Sequence, residues 1–339
     1  MDNQWINDHR LIDLRRTSVL DADVRAQIRD GTVRRLTAEM AVPAEWYDNQ
    51  TPWGRAHIRA VAVGLTVDAG VVSGPAAARL WGIELLSIEE QVDVQMPGGT
   101  HPGAKSTWTA GARYRSTLLP SGQYADHDGI RITSKIRTLA DVTRFNGLIE
   151  GVVAFDSARR QWPGKSTEAL LADVGELGRM RGIARVREAV RLSVPNSGSV
   201  WESKARMILH QYGGEAVTSL EVQVEFIDEE SGQSYFVDIL VNGWVILEID
   251  GRGKYRGEHG IPTETVVIDE REREKALQNL GPVVIRAAPG DLEVTEGSCV
   301  MLRRVLDVID NHTPPRHVPG CTSRRRRDPG FASPGPGDP

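Results

Sequence analysis

Three carboxylates fall where the surrounding residues read as strands. The run Val237 to Gly251, VDILVNGWVILEIDG, puts Asp238 inside one apolar strand pattern and Glu248 and Asp250 at the end of the next, two residues apart. Asp and Glu are poor strand formers and are seldom buried unless paired or bound to metal. Carboxylate oxygens suit a hard divalent cation, Mg²⁺ or Mn²⁺, which keeps several waters and needs few protein ligands. Such a cation activates water and neutralises the charge that develops when a phosphodiester is cleaved. Glu202, on a helix ahead of the strands, offers a further carboxylate, and Lys254, just past Gly251, offers a cation for the charged phosphate.

Register decides whether these groups can meet. Glu248 and Asp250 are two apart on a strand and share a face. A two-residue turn at Asn242-Gly243 would pair Val241 with Trp244 and set Asp238 on the opposite face. A three-residue loop, Val241 to Gly243 with Gly243 left-handed, would pair Leu240 with Trp244 and bring Asp238 and Glu248 to one face, diagonal to each other. The metal reading therefore expects the three-residue loop. Plainer explanations stand beside it. Ser199-Val200-Trp201-Glu202 is a capping box, which by itself accounts for Glu202. Asp250-Gly251 can be a turn at a strand end, and Glu270 to Lys275 reads as a solvated helix face.

The elements that must position these residues follow from apolar periodicity. Ser199 to Tyr212 is an amphipathic helix ended by Gly213-Gly214. Leu220 to Phe226, Tyr235 to Val241 and Trp244 to Ile249 read as three strands. A charged helix over 267–280, a strand over Val283 to Ala287 and a helix from about Asp291 to Ile309 complete the order αβββαβα. Ahead of this domain, residues 1–45 combine a helix (Ser18 to Arg29), the turn Asp30-Gly31 and a basic strand with Arg34 and Arg35, read either as a degenerate winged-helix-like module or as a small helical cap on the next domain. Residues 54–160 read as an α/β unit with helices over Ala56 to Val67, from the N-cap Ser73 to Gly82, and from the cap Ser134 to Arg144. Its strands are Val92 to Met96, Tyr114 to Leu119 and Ile130 to Thr133, and His57, His101 and His127 look scattered. Residues 161–198 form a basic helical linker with Arg179, Arg181, Arg185, Arg187 and Arg191, read either as a solvated face or as a phosphate-contacting ridge. Residues 312–339, rich in Pro, Gly and Arg, read as a disordered tail.

The αβββαβ order together with Glu202, Asp238, Glu248-Ile249-Asp250-Gly251, Lys254-Tyr255 and the later run Glu270-Arg271-Glu272-Arg273-Glu274 with LQNLG resembles the PD-(D/E)XK nuclease superfamily. Within it the likeness is to the very-short-patch-repair endonuclease-like group that includes the domain of unknown function 559. It covers roughly residues 199 to 295 and implies a restriction-endonuclease-like fold and Mg²⁺-dependent cleavage of DNA. The chain departs from the pattern where a lysine belongs two residues after the glutamate, because Asp250 stands there. The front, through SGPAAARLWGI and ITSKIRTLADV, resembles AbiEi-type antitoxin or transcriptional-regulator proteins over roughly residues 10 to 160. That resemblance implies DNA binding and leaves a second reading, a non-catalytic regulator carrying an inactive nuclease-like domain.

Composition bounds both readings. The chain has 339 residues, 40% hydrophobic and 26% charged, and a net charge of −5, the profile of a soluble protein of mixed α/β (α+β) class with more than one domain. No apolar run is long enough for a membrane span, and no apolar signal region opens the chain. Cys299 and Cys321 form no disulfide framework and fit a cytoplasmic setting. No Cys/His spacing favours zinc. Residues 199 to 311 hold 21 acids against 11 Lys or Arg, so that region binds DNA poorly without cations or help from basic residues elsewhere.

Overall fold

Thr51 and Pro52 show how closely local chemistry sets the elements. The Thr51 hydroxyl accepts from the Gly54 amide at 3.1 Å, and proline takes the first helical position, where its missing N–H costs nothing. The helix α4 (Pro52–Gly64) follows. The computed structural model describes residues 4–15, 22–99, 103–227, 232–250, 277, 281–315 and 321–322, and these divide into two units. The first comprises residues 1–158 and 165–192, the second 159–164 and 193–339.

In the first unit, α1 (Gln4–Asp8), β1 (Ile12–Asp13), α2 (Ala22–Asp30), β2 (Val33–Arg35), β3 (Met40–Pro43) and α3 (Ala44–Asp48) precede α4. The strands form a three-stranded sheet ordered β1-β3-β2. Then come β4 (Val71–Val72), α5 (Gly74–Leu80), β5 (Val92–Gln95), β6 (Ala112–Arg115), β7 (Tyr124–His127) and β8 (Ile130–Thr133). They make a mixed sheet ordered β6-β5-β4-β8-β7. The strand expected over Tyr114 to Leu119 is β6 and ends at Arg115. β7 and β4 were not foreseen. Asp128 and Gly129, with φ of 52° and 87°, make the tight turn that joins β7 to β8, and the Asp-Gly pair was a readable hairpin signal.

The helices α6 (Lys135–Asn146), α7 (Leu148–Gln161, up to Ala158), α8 (Thr167–Glu176) and α9 (Ile183–Leu192) complete the unit. The last two occupy the stretch read as a linker, yet they pack within the first unit. Their apolar faces explain it: Leu170 and Val174 of α8, and Val186, Ala189 and Val190 of α9, are buried. A buried polar network ties α6 to β5. Asp141, fully buried, accepts from Arg137 Nε at 2.9 Å, Arg144 Nη1 at 2.6 Å and Gln95 Nε2 at 2.5 Å.

The second unit holds α10 (Val200–Tyr212), β9 (Leu220–Ile227), β10 (Ser234–Val241), β11 (Val245–Ile249), β12 (Val283–Ala287) and a helix over Val300–Asn311. The sheet runs β12-β11-β10-β9-β13, where β13 is Cys321–Thr322. β9, β10 and β11 are antiparallel neighbours, and β12 joins β11 in parallel. The last helix begins at Val300 rather than near Asp291, because a 3₁₀ turn, Pro289–Leu292, and a Thr295–Ser298 bridge take up the intervening residues. Cys321–Thr322 corrects the reading of the tail as wholly unfolded: it pairs with Phe226 and Glu225 at the sheet edge. Backbone pairing needs no apolar pattern, so composition could not reveal it. The charged helix expected over 267–280 lies outside the described residues except for Leu277, which is helical and buried.

Candidate functional site

The β10–β11 turn sets the register. Val241 pairs with Val245, Leu240 with Ile246 and Ile239 with Leu247. The loop is thus three residues long but comprises Asn242, Gly243 and Trp244, not Val241 to Gly243, and the expected Leu240–Trp244 pair is absent. Asn242 and Gly243 are both left-handed, with φ of 52° and 74°. Asn242 explains the shift. Its Oδ1 accepts from the Thr218 and Ser219 amides at 2.7 and 3.2 Å, and its Nδ2 donates to the Ala216 carbonyl at 2.7 Å. Continuing the observed register sets Asp238 directly opposite Glu248 instead of diagonal to it.

Asp238 lies where two strands change sides. Val237 pairs with Val224 and Ile239 with Val222, so Asp238 and Gln223 fall opposite one another between them. Gln223 has φ of 50°, a conformation uncommon for a residue with a side chain. Ile239 and Val222 pack in the core beneath α10 and the last helix, whereas Val237 and Val224 pack with Leu240 and Ile246 in another cluster. Simple alternation would put Val237 and Ile239 on one face, so the break falls at Asp238.

Glu202 comes to this break from α10. The Ser199 oxygen accepts from the Glu202 amide at 3.1 Å, one half of the capping box. The carboxylate does not close the other half on Ser199. Its Oε2 accepts from the Gly198 amide at 2.7 Å and from Gln223 Nε2 at 3.0 Å. A Cβ on residue 198 would stand 2.9 and 3.0 Å from the two Glu202 oxygens, so glycine is what lets the carboxylate lie there. Burial, and then the negative charge of Asp238, hold the Glu202 carboxyl above the usual carboxylate range.

The remaining groups line up on the other side of Asp238. Its Oδ2 accepts from the Ile249 amide at 2.8 Å. Glu248 is buried and stands level with Arg286 in the parallel pair of β11 and β12. Arg286 Nη1 is 3.9 Å from Asp250 Oδ1. Glu202 with Asp238, Asp238 level with Glu248, and Asp250 with Arg286 form a chain of adjoining groups. Among the described residues no three His, Cys, Asp or Glu side chains form a closed metal-holding group. Lys254 and Glu270 to Glu274 lie outside the described residues. The donors fit a hard divalent cation in kind, because all are carboxylate oxygens. They also fit in charge, because a cation would relieve the repulsion between Asp238 and Glu202.

Three residues at this place were not singled out in the sequence. Arg286 is a charge in an otherwise apolar strand, VVIRA, the same signal that marked Asp238. Gln223 and Gly198 carry no comparable signal. In the first unit the histidines are not scattered. His9 and His57 stack with ring centroids 4.9 Å apart, and Trp5 lies 6.1 Å from His57 and 5.8 Å from His127. His101 lies outside the described residues. The arginines of the basic strand are engaged within the fold. Arg34 makes a two-pronged ion pair with Asp48, and Arg35 donates to the carbonyls of Thr37 and Ala38 at 3.1 and 2.6 Å.

Compared with protein-family models, with curated proteins and with solved structures, the chain matches none.

Proposed function

We propose that this protein is a metal-dependent DNA endonuclease whose centre comprises Glu202, Asp238, Glu248 and Asp250. The observation that carries the reading is the break at Asp238 and Gln223. There two strands forgo regular alternation, a glycine makes room for Glu202, and carboxylates are held close at a cost in repulsion that the fold alone does not need. Asp238, Glu248 and Asp250, with Glu202, would hold Mg²⁺ or Mn²⁺. When bound, the cation would supply an activated water and charge neutralisation at the phosphate. The chain's own groups do the positioning. The Ile249 amide orients Asp238, and Gly198 and Gln223 orient Glu202. Arg286, next to Asp250 and level with Glu248, is a cation for the phosphate at the place where the superfamily pattern has a lysine and this chain has Asp250.

A second reading is favoured by one observation, the absence among the described residues of a closed three-ligand group. In it the protein is a DNA-binding regulator and the second unit is catalytically silent. Plasmid nicking separates the two. Nicking with Mg²⁺ or Mn²⁺ that Asp238→Ala abolishes supports the endonuclease. Equal nicking by the variant identifies a contaminant, and no nicking by wild type, with tight binding to one duplex, supports the regulator. Among the described residues no helix is long and apolar enough to cross a membrane.

A further inference from the structure

Many arginines of the first unit are tied up within it. Arg15 pairs with Asp13 and Glu39, Arg55 and Arg59 with Glu90, and Arg113 and Arg115 with Asp93. The others are concentrated in one segment. Arg179, Arg181, Arg185, Arg187 and Arg191 are all exposed. Among the described residues none of their side chains makes an ion pair or hydrogen bond. Glu188 is the only acid between residues 179 and 191, in a chain whose net charge is −5.

Stability alone does not ask for this arrangement. Arg187 and Arg191 are four residues apart on α9, the spacing at which like charges on a helix repel. The helix dipole favours Arg191 in the last turn, but it opposes cations at the other end, where α9 has no acid in its first turn. The segment is nonetheless firmly held. Val186, Ala189 and Val190 bury the opposite side of α9. Arg144 Nε donates to the Arg181 carbonyl at 2.7 Å while its Nη1 holds the buried Asp141 at 2.6 Å.

We propose that the arginine segment 179–191 is a docking surface for the phosphate backbone of duplex DNA. This rests on DNA being the protein's partner and places the contact on α9 rather than on the basic strand β2, whose Arg34 and Arg35 are already engaged. Guanidinium groups on a fixed frame suit phosphates, which they bind in a fork. A lipid surface fits less well. A helix lying on a membrane buries its apolar face in lipid, and the apolar face of α9 is buried in the protein.

The test is duplex binding by the full chain without divalent cation, followed by fluorescence anisotropy over a salt series. Each phosphate contact adds about 0.9 to the slope of log affinity against log salt. The double variant Arg187→Gln/Arg191→Gln should lower that slope by about 2 and weaken binding by roughly 50-fold at about 0.1 M salt. It loses no internal contact, so it should fold as wild type does by far-UV circular dichroism. Arg34→Gln should leave the slope unchanged. A slope unaltered in the double variant, or lowered by Arg34→Gln instead, overturns the proposal. So does capture by anionic phosphatidylserine vesicles that the double variant loses while duplex binding persists. Because binding is read without metal, a lowered slope with no nicking by wild type removes only the nuclease reading. Intact nicking with an unaltered slope removes only the arginine surface.

Discussion

Acid should weaken the first unit through His57. The ring lies on α4, stacked on His9 at 4.9 Å and near Trp5. Burial, followed by the positive charges of His9 and Arg79, pushes the imidazole down to about 4, against about 6.5 in an unfolded chain. Between those two values the unfolded chain takes up a proton that the folded protein refuses. Stability that is fully present above pH 6.5 or so is therefore lost as the pH falls toward 4. Each pH unit corresponds to about 1.4 kcal/mol, so the whole effect approaches ~3.5 kcal/mol, with about 2 kcal/mol gone near pH 5. His57→Phe keeps a ring against His9 and cannot titrate. Urea unfolding of both proteins at several pH values is the assay, and the quantity read is the difference between them, in which titrating groups that do not touch His57 cancel. That difference should move against wild type by about 2 kcal/mol between roughly pH 6.5 and 5. A difference that stays flat would refute the claim that the fold holds this imidazole neutral.

Other perturbations test the remaining packing. Asp141→Asn leaves Arg137 and Arg144 without their shared carboxylate in the interior and should cost about 3–5 kcal/mol, read as a lowered melting temperature of the first unit. Asn242→Ala removes the bonds to residues 216, 218 and 219 and puts alanine at a left-handed φ. Expected is a loss of about 2–4 kcal/mol in urea, whereas Asn242→Gly, which restores the φ, should recover about 1 kcal/mol of it. Gly198→Ala displaces the Glu202 carboxylate and should lower metal-dependent nicking more than it lowers the melting temperature; a variant with wild-type nicking would show that Glu202 only caps its helix.

Much of the fold was legible because its signals are local. Ser199 marks a helix start, and the strands over residues 130–133 and 283–287 stand where apolar residues concentrate; Thr51-Pro52, an equally local start signal, was passed over for a helix from Ala56 to Val67, where the structure has Pro52–Gly64. Asp238 stood out for the same reason, a charge in an apolar run. The register of its hairpin was read with the correct loop length and the wrong residues. What moved it was Asn242, whose side chain bonds residues more than twenty positions away, and no local pattern reports that. Distance in the chain also hid the convergence of Glu202 with Gln223, the level placement of Arg286 against Glu248, and the gathering of three histidines around Trp5. The stretch holding α8 and α9 looked like a linker because the arginines between residues 179 and 191 dominate its composition. The few apolar residues of these helices, at helical spacing, decided where they pack.

The central claim is that Asp238 serves a metal-dependent phosphodiesterase centre, and the most direct measurement is nicking of supercoiled plasmid with Mn²⁺ by wild type and by Asp238→Asn purified side by side. Wild type should nick and the variant should not rise above background, with both proteins binding duplex equally in the absence of metal. Equal nicking by the two proteins, or none by either, would contradict the claim.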